Sequence, residues 1–140
     1  IYALLFGMPG TPALYYGSEW GISGEKAPCS DAGLRPALEK PEWNALTSWI
    51  ARLAAARRGS PALREGSYRN VLLTNLQLIF ERRTETERVL VAVNADSQPY
   101  TAHFDAGCGL AWDLISGQQH DFGGGSQLPP YSAFFWKMER

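Results

Sequence analysis

Cysteine is scarce: Cys29 and Cys108 are the two in 140 residues. They cannot build a disulfide framework or a cysteine-rich zinc site, and at most one bridge could join them. Histidine is equally scarce. His103 and His120 stand at no metal-ligand spacing, and no carboxylate run has the pattern of a calcium loop. The expectation is therefore no metal and no cofactor. Basic charge is not in surplus either: 13 Lys and Arg face 14 Asp and Glu, for a formal net charge of -1. Binding to a phosphate backbone draws on a cationic face, so nucleic acid is not an expected partner. No apolar run approaches the roughly 18 residues of a membrane span, so no membrane partner is expected.

What is present suits a packed core. Hydrophobic residues make up 45% and charged residues 19%, which excludes global disorder. The length suits one ordinary domain, or a small domain with an appendage. The opening run Ile1-Tyr2-Ala3-Leu4-Leu5-Phe6 has no basic lead-in and no small-residue cleavage site, so it is not a secretory signal. So apolar a start reads as core, and the expectation is that the sequence begins inside a larger protein.

Residues 1–40 are rich in Gly, Pro and aromatics. Ile1 to Met8 reads as the last turns of a helix, stopped by Gly7 and Pro9. The short apolar run Ala13-Leu14-Tyr15-Tyr16, led in by Thr11-Pro12, reads as a strand buried on both faces. Residues 17–40 lack any period and read as a long loop, which in a compact domain is usually functional.

Residues 41–58 read as an amphipathic helix. Pro41 suits the first helical position and Glu42 the positive end of the dipole. Trp43, Leu46, Ile50 and Leu53 repeat at helical spacing beside Trp49. Arg57 and Arg58 suit the negative end, Gly59 the C′ position, and Ser60-Pro61 prevents continuation.

After Pro61 the pattern shortens. Val71-Leu72-Leu73, Leu76 to Phe80, Val89 to Val93, Tyr100 to Phe104, Ala111 to Ile115 and Ser132 to Trp136 are rich in β formers. Asn94-Ala95-Asp96, Gly107-Cys108-Gly109 and Ser116-Gly117 supply turns, and Gly123-Gly124-Gly125 reads as a hairpin tip. Such spacing predicts an antiparallel sandwich. The fold class expected is thus mainly β: an antiparallel β-sandwich preceded by a short strand, a long loop and one amphipathic helix. The mixed charges Arg82, Arg83, Glu85, Glu87 and Arg88 read as a solvated loop around a turn.

The stretch Gly7-Met8-Pro9-Gly10-Thr11-Pro12-Ala13-Leu14-Tyr15-Tyr16-Gly17-Ser18-Glu19-Trp20-Gly21 closely resembles the eighth-strand motif of the α-amylase family of glycoside hydrolases. Arg35-Pro36 resembles an Arg-Pro that follows in many members. Ser60 to Gly66, Val89 to Asn94 and Leu128 to Ala133 resemble later parts of the same family, in order. The resemblance implies a (β/α)8 barrel followed by a C-terminal β domain. On it, residues 1–60 are a barrel remnant: the end of helix seven, strand eight at 12–16 and helix eight at 41–58. Residues 61–140 are the C-terminal antiparallel β-sandwich domain. The loop from Ile22 to Leu34 departs from the family's usual order of Asp, Asn and Arg.

The resemblance also implies a retaining attack on α-glucosidic bonds, which needs two carboxylates about 5–5.5 Å apart. In relatives these follow strands four and five, and a third follows strand seven. None falls within this sequence, so no catalytic residue is assigned and the chain alone is expected to be inactive. Glu19, just beyond a strand end where barrel sites are built, is the candidate with Tyr16 and Arg35 for shaping sugar subsites. The plainer alternative is that Glu19 anchors its loop through backbone N–H groups or Arg35. Tyr15 and Tyr16 suit a core position or sugar stacking.

Trp112, Tyr131 and Trp136 could form a sugar platform, although alternating strands favour core positions for them. Three functions thus stay open: the C-terminal part of an enzyme acting on α-glucans or maltooligosaccharides, a stand-alone glucan-binding module, and a structural or interaction domain. The last expectation is self-association through residues 1–16, whose apolar surface would otherwise lack cover.

Overall fold

A computed structural model describes residues 1–38, 40 and 42–138. Downstream of residue 66 lie strands β1 (Ser67–Leu73), β2 (Gln77–Arg83), β3 (Arg88–Asn94), β4 (Tyr100–Ala102), β5 (Leu110–Asp113), β6 (Gln119–Asp121), β7 (Ser126–Leu128) and β8 (Ser132–Met138). They form an antiparallel sheet in the order β1-β2-β3-β8-β5-β6, and a two-stranded antiparallel ribbon of β4 and β7. The chain is mainly β and antiparallel, as the strand spacing predicts.

The sheet is covered on both faces, which explains why its central strands read as unbroken apolar runs. Phe80, Val89, Val91, Val93 and Phe135 face one core. Ile79, Leu90, Ala92, Trp136 and Met138 face the other. Helices α1 (Tyr2–Gly7), α2 (Ala45–Gly59) and α3 (Pro61–Glu65) close the first core with Phe6, Ile50, Leu53 and Leu63. The β4–β7 ribbon closes the second with Ala102 and Leu128. At about 1.5–3 kcal/mol for each fully buried large side chain, these two layers dominate the stabilisation.

Several sequence expectations are corrected. Residues 12–16 form no strand, and Leu14, Tyr15 and Tyr16 are 40, 57 and 48% exposed. A buried strand needs neighbours for its backbone groups, and nothing here pairs with this stretch. Helix α1 does form, but it packs within its own chain: Ala3, Phe6 and Gly7 are buried. The N-terminal segment and the sheet therefore share α2's apolar face in one core.

Helix α2 starts at Ala45, later than expected. The Asn44 side chain accepts from the Thr47 amide at 3.0 Å, and Thr47 Oγ1 accepts from the Asn44 amide at 3.4 Å. That reciprocal cap fixes the start. Trp43 lies outside the helix and is largely exposed, and Pro41 lies outside the described residues. Gly59 is the last residue of α2, and Ser60 caps α3, with Pro61 at its first turn.

Gly123-Gly124-Gly125 is not a hairpin tip. The strands on either side, β6 and β7, belong to the sheet and the ribbon respectively, so the turn carries the chain from one layer to the other. Gly125 has φ +99°, and a Cβ there would lie 2.7 Å from the His103 ring. The charged stretch after Phe80 is a solvated turn only in part: Arg83 and Glu85 are exposed where β2 turns into β3. Arg82 is 1% exposed, and the Glu81 and Glu87 side chains are almost fully buried. No described helix is long and apolar enough to cross a membrane.

Candidate functional site

Gly17 (φ +85°) turns the chain out of the Tyr15-Tyr16 stretch into a single 3-10 turn, Ser18–Trp20, and Gly21 (φ +73°) ends it. This turn is tied to the body at three points. Tyr2 Oη donates to Ser18 O at 3.0 Å, Thr47 Oγ1 to Glu19 O at 2.9 Å and Asn44 Nδ2 to Trp20 O at 3.1 Å. The residues that cap α2 thus also hold the turn that carries Glu19.

Glu19 is half-buried, and its Oε2 is shielded from solvent without a hydrogen-bond partner. Its backbone carbonyl anchors the turn, whereas its carboxylate makes no hydrogen bond or ion pair with Arg35 among the described residues. The rings of Tyr15 and Tyr16 lie 4.8 Å apart at 38°. Partial desolvation holds the Tyr16 phenol above its usual pKa. The Tyr15 hydrogen bond and charge add to this, and the exposed Arg35 opposes it. The structure therefore brings Tyr16 and Arg35 within electrostatic reach and leaves Glu19 without a link to Arg35. The hollow beside Tyr15, Tyr16, Ile22 and Leu34 measures about 70 Å³, well below the ~300 Å³ at which ligand pockets begin.

The three aromatics of the β region do not share a platform. Trp136 is core, stacked on His120 at 4.2 Å and 8° and on Phe134 at 5.3 Å and 15°. Burial lowers the His120 pKa, against the pull of Asp121 and Asp113. Trp112 and Tyr131 are 46 and 74% exposed, which corrects their expected core placement. They line separate cavities: Trp112 one of about 560 Å³ with Thr84, Glu87 and Lys137, and Tyr131 one of about 320 Å³ with Trp49 and Asn94.

Two buried guanidinium groups were missed at the level of sequence. Arg57 Nη1 donates to Phe6 O at 2.8 Å and Met8 O at 2.9 Å, and Nη2 donates to Gly10 O. Arg82 Nη1 donates to Gly7 O at 2.7 Å, and Nη2 to Gly66 O at 2.9 Å. Together they satisfy the carbonyls at the end of α1 that have no helical partner. Burial lowers the pKa of both, and repulsion from Arg57 lowers that of Arg82 further. For Arg82 a signal existed: period-2 alternation from Leu78 through Phe80 points it inward.

The carboxylates of the β region are fixed structurally. Glu81 pairs with Arg69 and Arg88. Glu87 accepts from Ser60 Oγ at 2.6 Å and the Ala62 amide at 2.9 Å, and pairs with Lys137 at 2.7 Å. Burial pushes both carboxyls up, but these donors outweigh it and hold them below the usual value. Cys29 and Cys108 are free thiols. Among the described residues no group of three or more His, Cys, Asp and Glu is placed to hold a metal ion.

No family model matches the chain. It is 30% identical over 119 residues to a cyclomaltodextrin glucanotransferase of Bacillus sp. (strain 38-2), covering 83% of this chain and 15% of that enzyme. It is 32% identical over 127 residues to the α-amylase MalA of Haloarcula japonica, covering 81% of this chain and 17% of that enzyme. The solved structure of CldA, described as a cyclomaltodextrin glucanotransferase with a three-domain ABC distribution, matches with a TM-score of 0.82 at 25% identity. That match covers 99% of this chain and 31% of CldA. The chain thus spans a small part of the length of the relatives it matches. The Gly7–Gly21 motif, the sheet that follows α2 and these alignments make the chain a C-terminal portion of an α-amylase-family enzyme.

Proposed function

We infer that the chain serves an enzyme acting with retention on α-glucosidic bonds of α-glucans or maltooligosaccharides, and that it is inactive alone. The observation that carries this reading is the likeness to a cyclomaltodextrin glucanotransferase and an α-amylase over about four fifths of the chain; the commitment of Glu81 and Glu87 to structural bonds supports inactivity. A retaining glycosidase needs a general acid whose pKa is raised. Glu81 and Glu87 are held low by cationic partners and committed to structural bonds. In this reading residues 1–60 belong to the end of a (β/α)8 barrel and residues 61–140 to its C-terminal domain.

Tyr16, Glu19 and Arg35 shape the rim of the sugar site in the intact enzyme. Exposed, paired tyrosine rings and a shielded carboxylate oxygen without a donor support that role. The test is release of reducing sugar from soluble starch and maltoheptaose by the purified chain, for which no turnover is expected. Turnover that follows the protein through purification and disappears on Glu19→Gln overturns the reading.

A further inference from the structure

We propose that Arg57 is a positioning residue for the sugar rim: its guanidinium fixes the backbone that delivers Tyr15 and Tyr16. The proposal rests on the rim reading above and adds what holds that rim in place. Arg57 sits in the last turn of α2 and is 7% exposed. Among the described residues it forms no ion pair. The carbonyls of Phe6, Met8 and Gly10 take its hydrogen bonds instead. A buried cation without a counter-ion is costly, and charge-assisted bonds to these acceptors offset that cost.

Helix capping explains only the first of the three bonds. Helix α1 ends at Gly7, so Phe6 O is a helix-end carbonyl in need of a donor. Met8 and Gly10 lie beyond the helix, on the segment that runs to the tyrosines. Arg82 differs in this respect: toward α1 it holds Gly7 O, inside the helix, and no carbonyl farther along. The far end of the segment is gripped by α2 as well. Thr47 Oγ1 and Asn44 Nδ2, where α2 begins, donate to Glu19 O and Trp20 O. Those residues stand 10–13 positions before Arg57, about 15–20 Å along the helix axis. Between the two grips residues 11–14 make no backbone hydrogen bond among the described residues, so no neighbouring strand guides them. Helix α2 therefore sets both ends of the path, and Arg57 sets where it begins. A planar fork can serve carbonyls of residues 6, 8 and 10 together, whereas a lysine ammonium concentrates its donors at one point.

The test is Arg57→Lys in the nitrogen-15-labelled chain. Amide spectra should show Tyr15, Tyr16 and Gly17 displaced. The raised Tyr16 phenol titration should move down toward its ordinary value as the Tyr15–Tyr16 arrangement loosens. Arg82→Met is the control: it should lower the urea midpoint and leave both readouts at parent values. Gly10→Ala reaches the clamp from the other side. Gly10 has φ +100° and nothing within 4 Å of a Cβ, so this substitution strains the gripped residue without touching the core. It should displace the same amides. Parent values at Tyr15 and Tyr16 in folded Arg57→Lys, or in Gly10→Ala where Arg57→Lys does not fold, overturn the proposal. They reduce Arg57 to a helix cap and leave the rim reading standing. Equal displacement in Arg82→Met also overturns it, because any loosening of the core would then move the rim. The α-glucan reading is decided separately, by turnover of the purified chain.

Discussion

Arg82 and Gly7 lie 75 residues apart and are joined by a 2.7 Å hydrogen bond from the guanidinium to the glycine carbonyl. The bond ties the second strand of the sheet to the last residue of the first helix. Arg57 grips the carbonyls on either side. A Cβ on Gly7 would meet Val91 Cγ1 at 2.9 Å and the Phe80 ring at 3.1 Å, so the same glycine also permits close packing of helix on sheet. The segment leading to Tyr15, Tyr16 and Glu19 leaves directly from this junction.

Arg82→Met should therefore destabilise the chain by about 3 kcal/mol. It removes charge-assisted bonds and leaves buried carbonyls without donors. Gly7→Ala should cost about 1–3 kcal/mol through overpacking. Urea unfolding followed by circular dichroism measures both. A change below about 0.5 kcal/mol for Arg82→Met would show that water replaces the clamp.

Asn44 has two tasks: it caps α2 and, through Nδ2, holds Trp20 O. Asn44→Ala should cost about 1 kcal/mol for the cap, with a loss of amide protection in residues 18–21 as well as in the first turn of α2. Hydrogen exchange separates the two effects. Unchanged exchange at Trp20 and Gly21 would mean that Tyr2 and Thr47 suffice to hold the turn.

Stability should fall in acid in two windows. Glu87 has a folded pKa below its unfolded value of about 4.3. Its contribution is complete above that value and is lost as pH falls through the folded pKa. Glu87→Gln should flatten this part of the profile. His120 is also lowered, here by burial, so the unfolded chain takes up its proton first, below about pH 6.5. Stability therefore drops from about pH 6.5 toward the folded pKa, and His120→Gln should remove that drop. Chemical unfolding at a series of pH values checks both. A profile for His120→Gln that parallels the parent chain between about pH 6.5 and 5 would refute the second window.

The sheet was legible because its central strands must bury both faces: Val89 to Val93 and Ser132 to Trp136 can be nothing else. Two of the three shortest strands, Gln119–Asp121 and Ser126–Leu128, were not, because three mostly polar residues are too few to show a period. The helix at 41–58 was legible as a helix but not in its start, since Pro41 and Trp43 mimic a first turn while the Asn44–Thr47 exchange decides it. The turn at Glu19 was found through its motif. What fixes it could not be, because its anchors come from Tyr2 and from Asn44 and Thr47, far along the chain. The roles of Arg57 and Arg82 were hidden for the same reason: their partners are backbone carbonyls, which no side-chain pattern records.

The surface around Tyr15 is the last matter that experiment can decide. Leu14, Tyr15, Tyr16, Ile22 and Leu34 are each 38–57% exposed, and four of them surround one small hollow. Residues 2–8 are covered at least in part by their own chain, so the large apolar side chains left exposed over residues 1–16 are Ile1 and, next to the loop beyond, Leu14, Tyr15 and Tyr16. We predict that a second copy of the chain covers this patch at high concentration. Removing α1 would open the core, so point variants are the proper control. Light scattering should show concentration-dependent dimerisation of the parent chain that is lost in the double variant Tyr15→Ser, Ile22→Ser. A parent chain that stays monomeric at about 100 µM, enough to populate a micromolar dimer, would show that solvent covers the patch and that self-association is not its role.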